Sequence, residues 1–211
     1  SRVVFQDVYT EGISKITAAD IAYAKEFDSV IKLLGVARNT ETGIEAGVYP
    51  VMLNKDHPLA SVRNSFNAVF IHGDAVDDAM FYGRGAGEMP TASAVVGDAI
   101  DVARDIAYGC TGRISCTCYR QLPVKPFGEV KNKFFIRMQV RNRPGVLAQI
   151  AQVFGEHKVS IARVVQKQVQ AEQAELVIVT EEVKELYMKD ALDELGRMES
   201  IFEVSSVIRE F

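Results

Sequence analysis

Tryptophan is absent from these 211 residues, and histidine and cysteine occur only three times each. So few imidazoles and thiols leave little material for a metal centre. Cys110, Cys116 and Cys118 follow a C-x5-C-x-C spacing that fits no zinc pattern. An odd count with no export signal argues for reduced thiols rather than a disulfide framework. They read as small buried side chains, with Cys116 and Cys118 on one face of a strand "RISCTCY". No apolar run approaches the roughly 18 residues of a membrane span, and no signal-peptide pattern opens the chain. The expectation is a cytoplasmic protein with no membrane partner. A basic excess is also missing. Residues 1–130 carry 12 Lys and Arg against 16 Asp and Glu, residues 131–211 carry 12 against 12, and the net charge is −4. Phosphate-backbone binding needs the opposite balance, which excludes nucleic acid as the expected partner.

What is present is ordinary globular material, 48% apolar and 25% charged. The chain is long enough for one large domain or two modest ones. "TAADIAYAKEF" reads as a helix capped by Thr17, with Ile21, Ala24 and Phe27 at helical spacing. "SVIKLLGVAR", "GIEAGVYPVML" and "FNAVFIHGDAV" read as strands, with turn chemistry at 39–43 and 64–65. Pro50 points to an edge position or a bulge. Asp56 is a candidate cap for a short helix begun by Pro58, and His57, His72 and His157 read as structural. Residues 109–131 hold several Gly and Pro and read as a strand and then a linker, so a boundary is expected near Glu129–Lys131.

Beyond it the pattern is cleaner. "KFFIRMQVR", "VSIARVVQKQ", "AELVIVT" and "FEVSSVIRE" are strands, with a polar turn at 169–173. One helix carries Val146, Leu147, Ile150, Ala151 and Phe154 on one face; the other carries Val183, Leu186, Tyr187, Leu195 and Met198. The order βαββαβ is a split-βαβ unit with both helices on one face of an antiparallel sheet. The predicted class is α+β: a mixed sheet with helices, followed by a ferredoxin-like βαββαβ domain.

The chemistry-bearing stretch is "YGRGAGEMPTASAVV", in which Gly83, Gly85 and Gly87 precede a helix with Pro90 in its first turn. A dinucleotide fingerprint requires G-x-G-x-x-G after a first strand, and Glu88 stands at the third glycine's place. On spacing alone the stretch reads as a structural turn before a phosphate cradle.

These blocks carry a resemblance. "TEGISKITAADIAYAKEFDSVIKLLGVAR", "DHPLASVRNSFNAVFIHGDAV" and "MFYGRGAGEMPTASAVVGDAIDVARDI" resemble the catalytic portion of homoserine dehydrogenases. "RNRPGVLAQIAQVFGEHKVSIARVVQ" with "AELVIVTEEV" is similar to an ACT domain, an amino-acid-sensing module. The resemblance implies residues 1–130 as a partial catalytic and dimerisation domain and 131–211 as the ACT domain. It implies hydride transfer between NAD(P)H and L-aspartate 4-semialdehyde, giving L-homoserine, with NADP or NAD held mainly by a domain not in this chain. Gly87, and next Gly85, would contact that cofactor. Arg84 is either a phosphate contact or a solvent-facing side chain. Lys15, Lys25 and Lys32 do not stand in the family's catalytic motif, so no catalytic residue is assigned and the chain alone is expected to be inactive.

The resemblance places the effector, expected to be threonine, at Asn142, Gly145, Val146 and Leu147, with Ile161 nearby. Asn142 replaces an Asp common in the family, which removes a charge that would meet an ammonium group. The resemblance also implies a homo-oligomer, a dimer or tetramer. Two other readings differ in class. One is a stand-alone amino-acid-binding regulator without catalysis. The other is an RNA-recognition motif of the same βαββαβ order, set aside because "AELVIVT" lacks stacking aromatics and the two phenylalanines of "KFFIRM" face opposite sides.

Overall fold

The computed structural model describes residues 1–112, 118–168 and 172–211. In chain order the elements are β1 (Tyr9–Thr10), α1 (Ala18–Glu26), β2 (Ser29–Thr40), β3 (Gly43–Asn54), β4 (Phe66–Gly73), β5 (Asp77–Arg84) and α2 (Glu88–Ala107). Then follow β6 (Lys131–Arg141), α3 (Val146–Glu156), β7 (Ile161–Gln168), β8 (Gln173–Thr180), β9 (Val183–Lys184), α4 (Glu185–Leu195) and β10 (Ile201–Glu210). Residues 1–54 with 120–211 form one unit and residues 55–119 another. The fold is α+β, with a mixed sheet and a βαββαβ portion. The strand expected over 113–119 and the turn over 169–173 fall largely outside the described residues, as does Cys116.

In the first unit a two-residue turn, Glu41–Thr42, returns β2 onto β3 in full antiparallel register, Thr40 facing Gly43 and Ser29 facing Asn54. The other edge of β3 takes two short parallel partners: β1 at Gly47–Val48, and β10 at Val51–Met52. Pro50 is neither on an edge strand nor at a bulge. The carbonyls of Val48 and Met52 both accept from that second edge, so by strand alternation Pro50 faces it too. Its missing N–H falls in the gap between β1 and β10, where no partner waits. The sheet continues from β10 through β6 and β8 to β7, all antiparallel.

Helices α3 and α4 cover one face of this sheet, burying Phe134, Ile136 and Met138 of β6 against Ile150, Phe154, Met188 and Leu195. Two details differ from the periodicity. On α3 the buried set is Val146, Ile150, Val153 and Phe154, while Leu147 and Ala151 face outward. On α4, Met188, Ala191 and Leu195 turn inward and Leu186 is exposed. The phase moves because Val183–Lys184 pairs with Lys131–Asn132 as strand β9, so the helix begins only at Glu185.

The opposite face is covered by α1. Thr17 caps the helix reciprocally with Asp20, whose carboxylate takes the Thr17 N–H at 2.8 Å. The side turned to the sheet is Asp20, Tyr23 and Ala24, whereas Ile21 is 47% exposed. A polar residue faces inward here because Arg137 of β6 reaches across: its Nε lies 2.9 Å from Asp20, and its Nη1 3.0 Å from Glu175 of β8. A second buried guanidinium, Arg209 of β10, is held by Glu185 through Nε at 2.6 Å and Nη2 at 2.8 Å, and by Glu11 at 2.7 Å. The rings of Tyr49 and Phe127 flank it at 4.6 and 5.1 Å. Residues 120–130 are tied in rather than free: Ile44 donates to the Pro123 carbonyl, Lys125 donates back to that of Ile44, and the Phe127 ring stacks on Tyr9 at 3.7 Å.

In the second unit His57, not Asp56, caps the short 3-10 turn Pro58–Ser61; its Nδ1 accepts the Leu59 N–H at 3.1 Å. The stretch read as one strand to Val76 ends at Gly73. A turn with Asp77 in the left-handed region, at φ 50°, then sends β5 back along β4. Helix α2 stops where expected. Gly109 takes φ 64° and donates to the Ile106 carbonyl, while Cys110 donates to that of Asp105. No residue of α2 is buried, although Met89, Ala92, Val96, Ala99, Ala103 and Ile106 recur at helical spacing.

Replacing Arg209 by Met should lower stability to urea by about 3 kcal/mol, because Glu185 and Glu11 are left without their cation. Replacing Arg209 and Glu185 together by apolar residues should cost much less. Asp20 gives a pH signature. Burial opposes its charge, but hydrogen bonds from Thr17 and Arg137 outweigh this and hold its pKa below the ordinary 3.8. Its contribution is therefore present above pH 3.8 and is lost as pH falls through the lower folded-state value. An Asp20→Asn variant should show a shallower acid decline in denaturation measured across that range.

Candidate functional site

Strand β5 delivers the glycine loop. Gly83 and Arg84 are its last residues, Gly85 and Ala86 follow, and Gly87 is the N-cap of α2. Two of these glycines have reasons within the chain. A Cβ on Gly85 would collide with the side chain of Asn67 on β4. Gly87 adopts φ 131°, which L side chains rarely take. Both are exposed. No side chain caps α2, and Pro90 in its first turn lacks an N–H, so backbone amides at Glu88 and Met89 form the open helix terminus. Arg84 is engaged locally: it donates to Ser65 Oγ at 3.3 Å and lies over the Phe66 ring at 4.8 Å.

The second candidate lies where β6 gives way to α3. Beyond Arg141, the Asn142 N–H donates to the Glu172 carbonyl at 2.8 Å, and Gly145 takes the left-handed conformation at φ 90° as N-cap of α3. Among the described residues nothing within 4 Å would meet a Cβ there, so the space over Gly145 is open to them. A cavity of about 220 Å³ forms against this turn, lined by Val140, Arg141, Arg143, Pro144, Gly145, Val146, Leu147, Gln166 and Leu176. That is smaller than the roughly 300–1,000 Å³ of drug-sized sites, a scale suited to a single small metabolite. Gly145, Val146 and Leu147 are thus brought together on one cavity. Asn142 is not among its lining residues, and Ile161 lies further along β7 and does not line it either.

Sequence reasoning missed Arg141, Arg143 and Gln166. The two arginines were visible in "RNRPG" as paired cations beside a glycine-led helix, a combination suited to a carboxylate. Gln166 comes from a different strand, and only the β7–β8 pairing of Gln166 with Leu176 brings it in. Arg141 is itself oriented, donating to the Glu199 carbonyl at 2.9 Å and lying over Phe202 at 5.0 Å.

The histidines have local partners. Burial holds His57 below its ordinary pKa, His72 lies 2.8 Å from Asp78, and His157 caps α3 at 2.7 Å from Glu194. Cys110 lies 3.6 Å from the Asp105 carboxylate and Cys118 is exposed. Among the described residues no group of three His, Cys, Asp or Glu is placed to hold a metal, and no helix is long and apolar enough to cross a membrane.

Comparison with known proteins gives two family matches: residues 1–100 match the homoserine dehydrogenase model, and residues 134–199 match the ACT domain. The homoserine dehydrogenase of Mycobacterium bovis is 39% identical over 99% of this chain and 49% of its own length. That of Bacillus subtilis is 37% identical over 98% of the chain and 48% of its length. The crystal structure of a homoserine dehydrogenase from Thiobacillus denitrificans superposes with a TM-score of 0.89 at 34% identity, covering 99% of this chain and 48% of that one. The chain spans about half the length of the curated relatives it matches.

The loop geometry predicts unequal tolerance. Gly87→Val forces a β-branched residue to a positive φ and should destabilise the start of α2 by about 1–3 kcal/mol. Gly83→Ala, with nothing within 4 Å of the added methyl, should stay within about 0.5 kcal/mol. Urea titrations of the two variants check the contrast.

Proposed function

Because the chain belongs to the homoserine dehydrogenase family, carrying its C-terminal catalytic region and an ACT domain, we propose that it completes the dehydrogenase active cleft and senses an amino acid. The reaction of the whole enzyme is the NAD(P)-dependent interconversion of L-homoserine and L-aspartate 4-semialdehyde, on the way to threonine and methionine. Residues 1–130 are its catalytic and dimerisation portion, and residues 131–211 the regulatory module.

The glycine loop suits a pyridine nucleotide because Gly85 and Gly87 are exposed and carry no side chain of their own. In this reading those two residues allow close backbone approach, and the open amides at the start of α2 face the ligand's negative charge. The bound nucleotide supplies or accepts the hydride. No residue of this chain matches the family's proton-transfer motif, so its part is positioning. The unburied apolar stripe of α2 fits a subunit interface in the oligomer. Strand β7 forms the outer edge of the sheet, where the module of a second copy can add.

The observation that carries the sensor reading is the cavity at the β6–α3 turn. Its open glycine amide, two arginines and small volume suit the carboxylate and short side chain of an amino acid, threonine in this proposal. L-Threonine at millimolar concentration should give a saturable heat in calorimetry. Gly145→Val should weaken it about tenfold by displacing the ligand from one or two backbone hydrogen bonds. No heat at millimolar threonine ends the threonine reading. With NADPH and aspartate 4-semialdehyde the chain alone should show no turnover, and measurable turnover would overturn the assignment of proton transfer elsewhere.

A further inference from the structure

The cavity and helix α1 lie on opposite faces of the sheet at the same strand positions. Consecutive residues of a strand point to opposite faces. On β8, Leu176 lines the cavity and its neighbour Glu175 reaches α1. On β6, Val140 lines the cavity while Arg137 and Gln139 meet Glu175 on the far side. On β7, Gln166 lines the cavity while Lys167 pairs with Glu26 of α1 at 2.7 Å. β7 and β8 therefore each offer one residue to the ligand side and its neighbour to the helix, while β6 offers Val140 to the ligand side and Arg137 to the helix.

The contacts on the helix side are fully committed. Oε1 of Glu175 accepts from the Tyr23 hydroxyl at 2.5 Å, and Oε2 accepts from Arg137 at 3.0 Å and Gln139 at 2.8 Å. Arg137 also donates to Asp20 at 2.9 Å and to Thr17 at 3.2 Å. Asp20 is fully buried and Arg137 is 6% exposed, so water does not readily replace the contact between these two if it breaks. A shift of β8 at 175–176 must break or remake several of these bonds together. Such a cluster switches between arrangements instead of deforming gradually.

We propose that the Asp20–Arg137–Glu175–Tyr23 cluster is the coupling element between the cavity and the dehydrogenase portion. Occupation of the cavity displaces β8 at Leu176, and Glu175 with Arg137 passes that displacement to α1. The ligand's identity rests on the amino-acid reading given above; the mechanical link does not.

Amide hydrogen exchange over residues 18–26 of the 211-residue chain tests the link, with residues 185–195 of α4 as reference. Leu176→Val removes one methylene from the cavity wall. It should change exchange over 18–26 about fivefold or more, beyond any change in α4. Glu175→Gln keeps the size and an acceptor oxygen but removes the charge, and in that background the response should vanish. Should Glu175→Gln unfold the chain, Tyr23→Phe, which deletes one hydrogen bond, should at least halve it. No response in either background, or an equal response in both, overturns the proposal. A second arm adds L-threonine. Heat of binding together with slowed exchange at 18–26, lost in Glu175→Gln, supports the link. Heat without any change at 18–26 overturns it. Absence of heat removes threonine as the ligand, and the Leu176→Val arm then decides the link by itself.

Discussion

A guanidinium inside a protein must keep its carboxylates, since taking one partner away leaves a charge stranded in a poorly polarisable medium. Two such groups organise the larger unit. Arg209 gathers Glu185 from the start of α4 and Glu11 from beside β1, so one side chain fixes the last strand, a helix terminus and the opening segment. Arg137 does the same for α1 and β8. The apolar contacts supply the bulk of the driving force, but these two cations decide which polar residues are allowed inward. With them in place, the sheet has a helix pair on one face and a single helix on the other, and the cavity forms where β6 leaves the first of these faces.

Much of this architecture was legible in the sequence because it is local. The βαββαβ order follows from short periodic segments, and the ends of α2 from Pro90 and Gly109. What escaped depends on partners far away. Asp20 is inward only because Arg137 stands across from it, and nothing in "TAADIAYAKEF" announces that. Val183 belongs to a strand because residues 131–132 need a partner there. The second strand of the hairpin, "DDAMFYGR", is obscured by its acidic start and by the glycines at its end. A proline within a strand points to an edge or a bulge, yet Pro50 fits a third place, opposite a gap between two short neighbours.

The candidate sites divide the same way. Gly145, Val146 and Leu147 follow from the resemblance to an ACT domain, whose matching motif is one short run at the start of α3. Gln166 does not, since its place depends on strand register. For Gly85 the family resemblance implies a ligand while the spacing alone reads as a turn, and the structure adds a reason inside the chain, the side chain of Asn67. Chain geometry alone therefore demands a bare glycine at that position.

The parallel pairing of β3 with β10 has a further consequence. Val51 and Arg209 are partners although roughly 160 residues separate them along the chain. During synthesis the early hairpin of β2 and β3 must therefore wait, its edge unpaired at Val51–Met52, until β10 emerges. A topology so dependent on distant contacts folds slowly and leaves a sticky intermediate, the state in which chaperones find their clients.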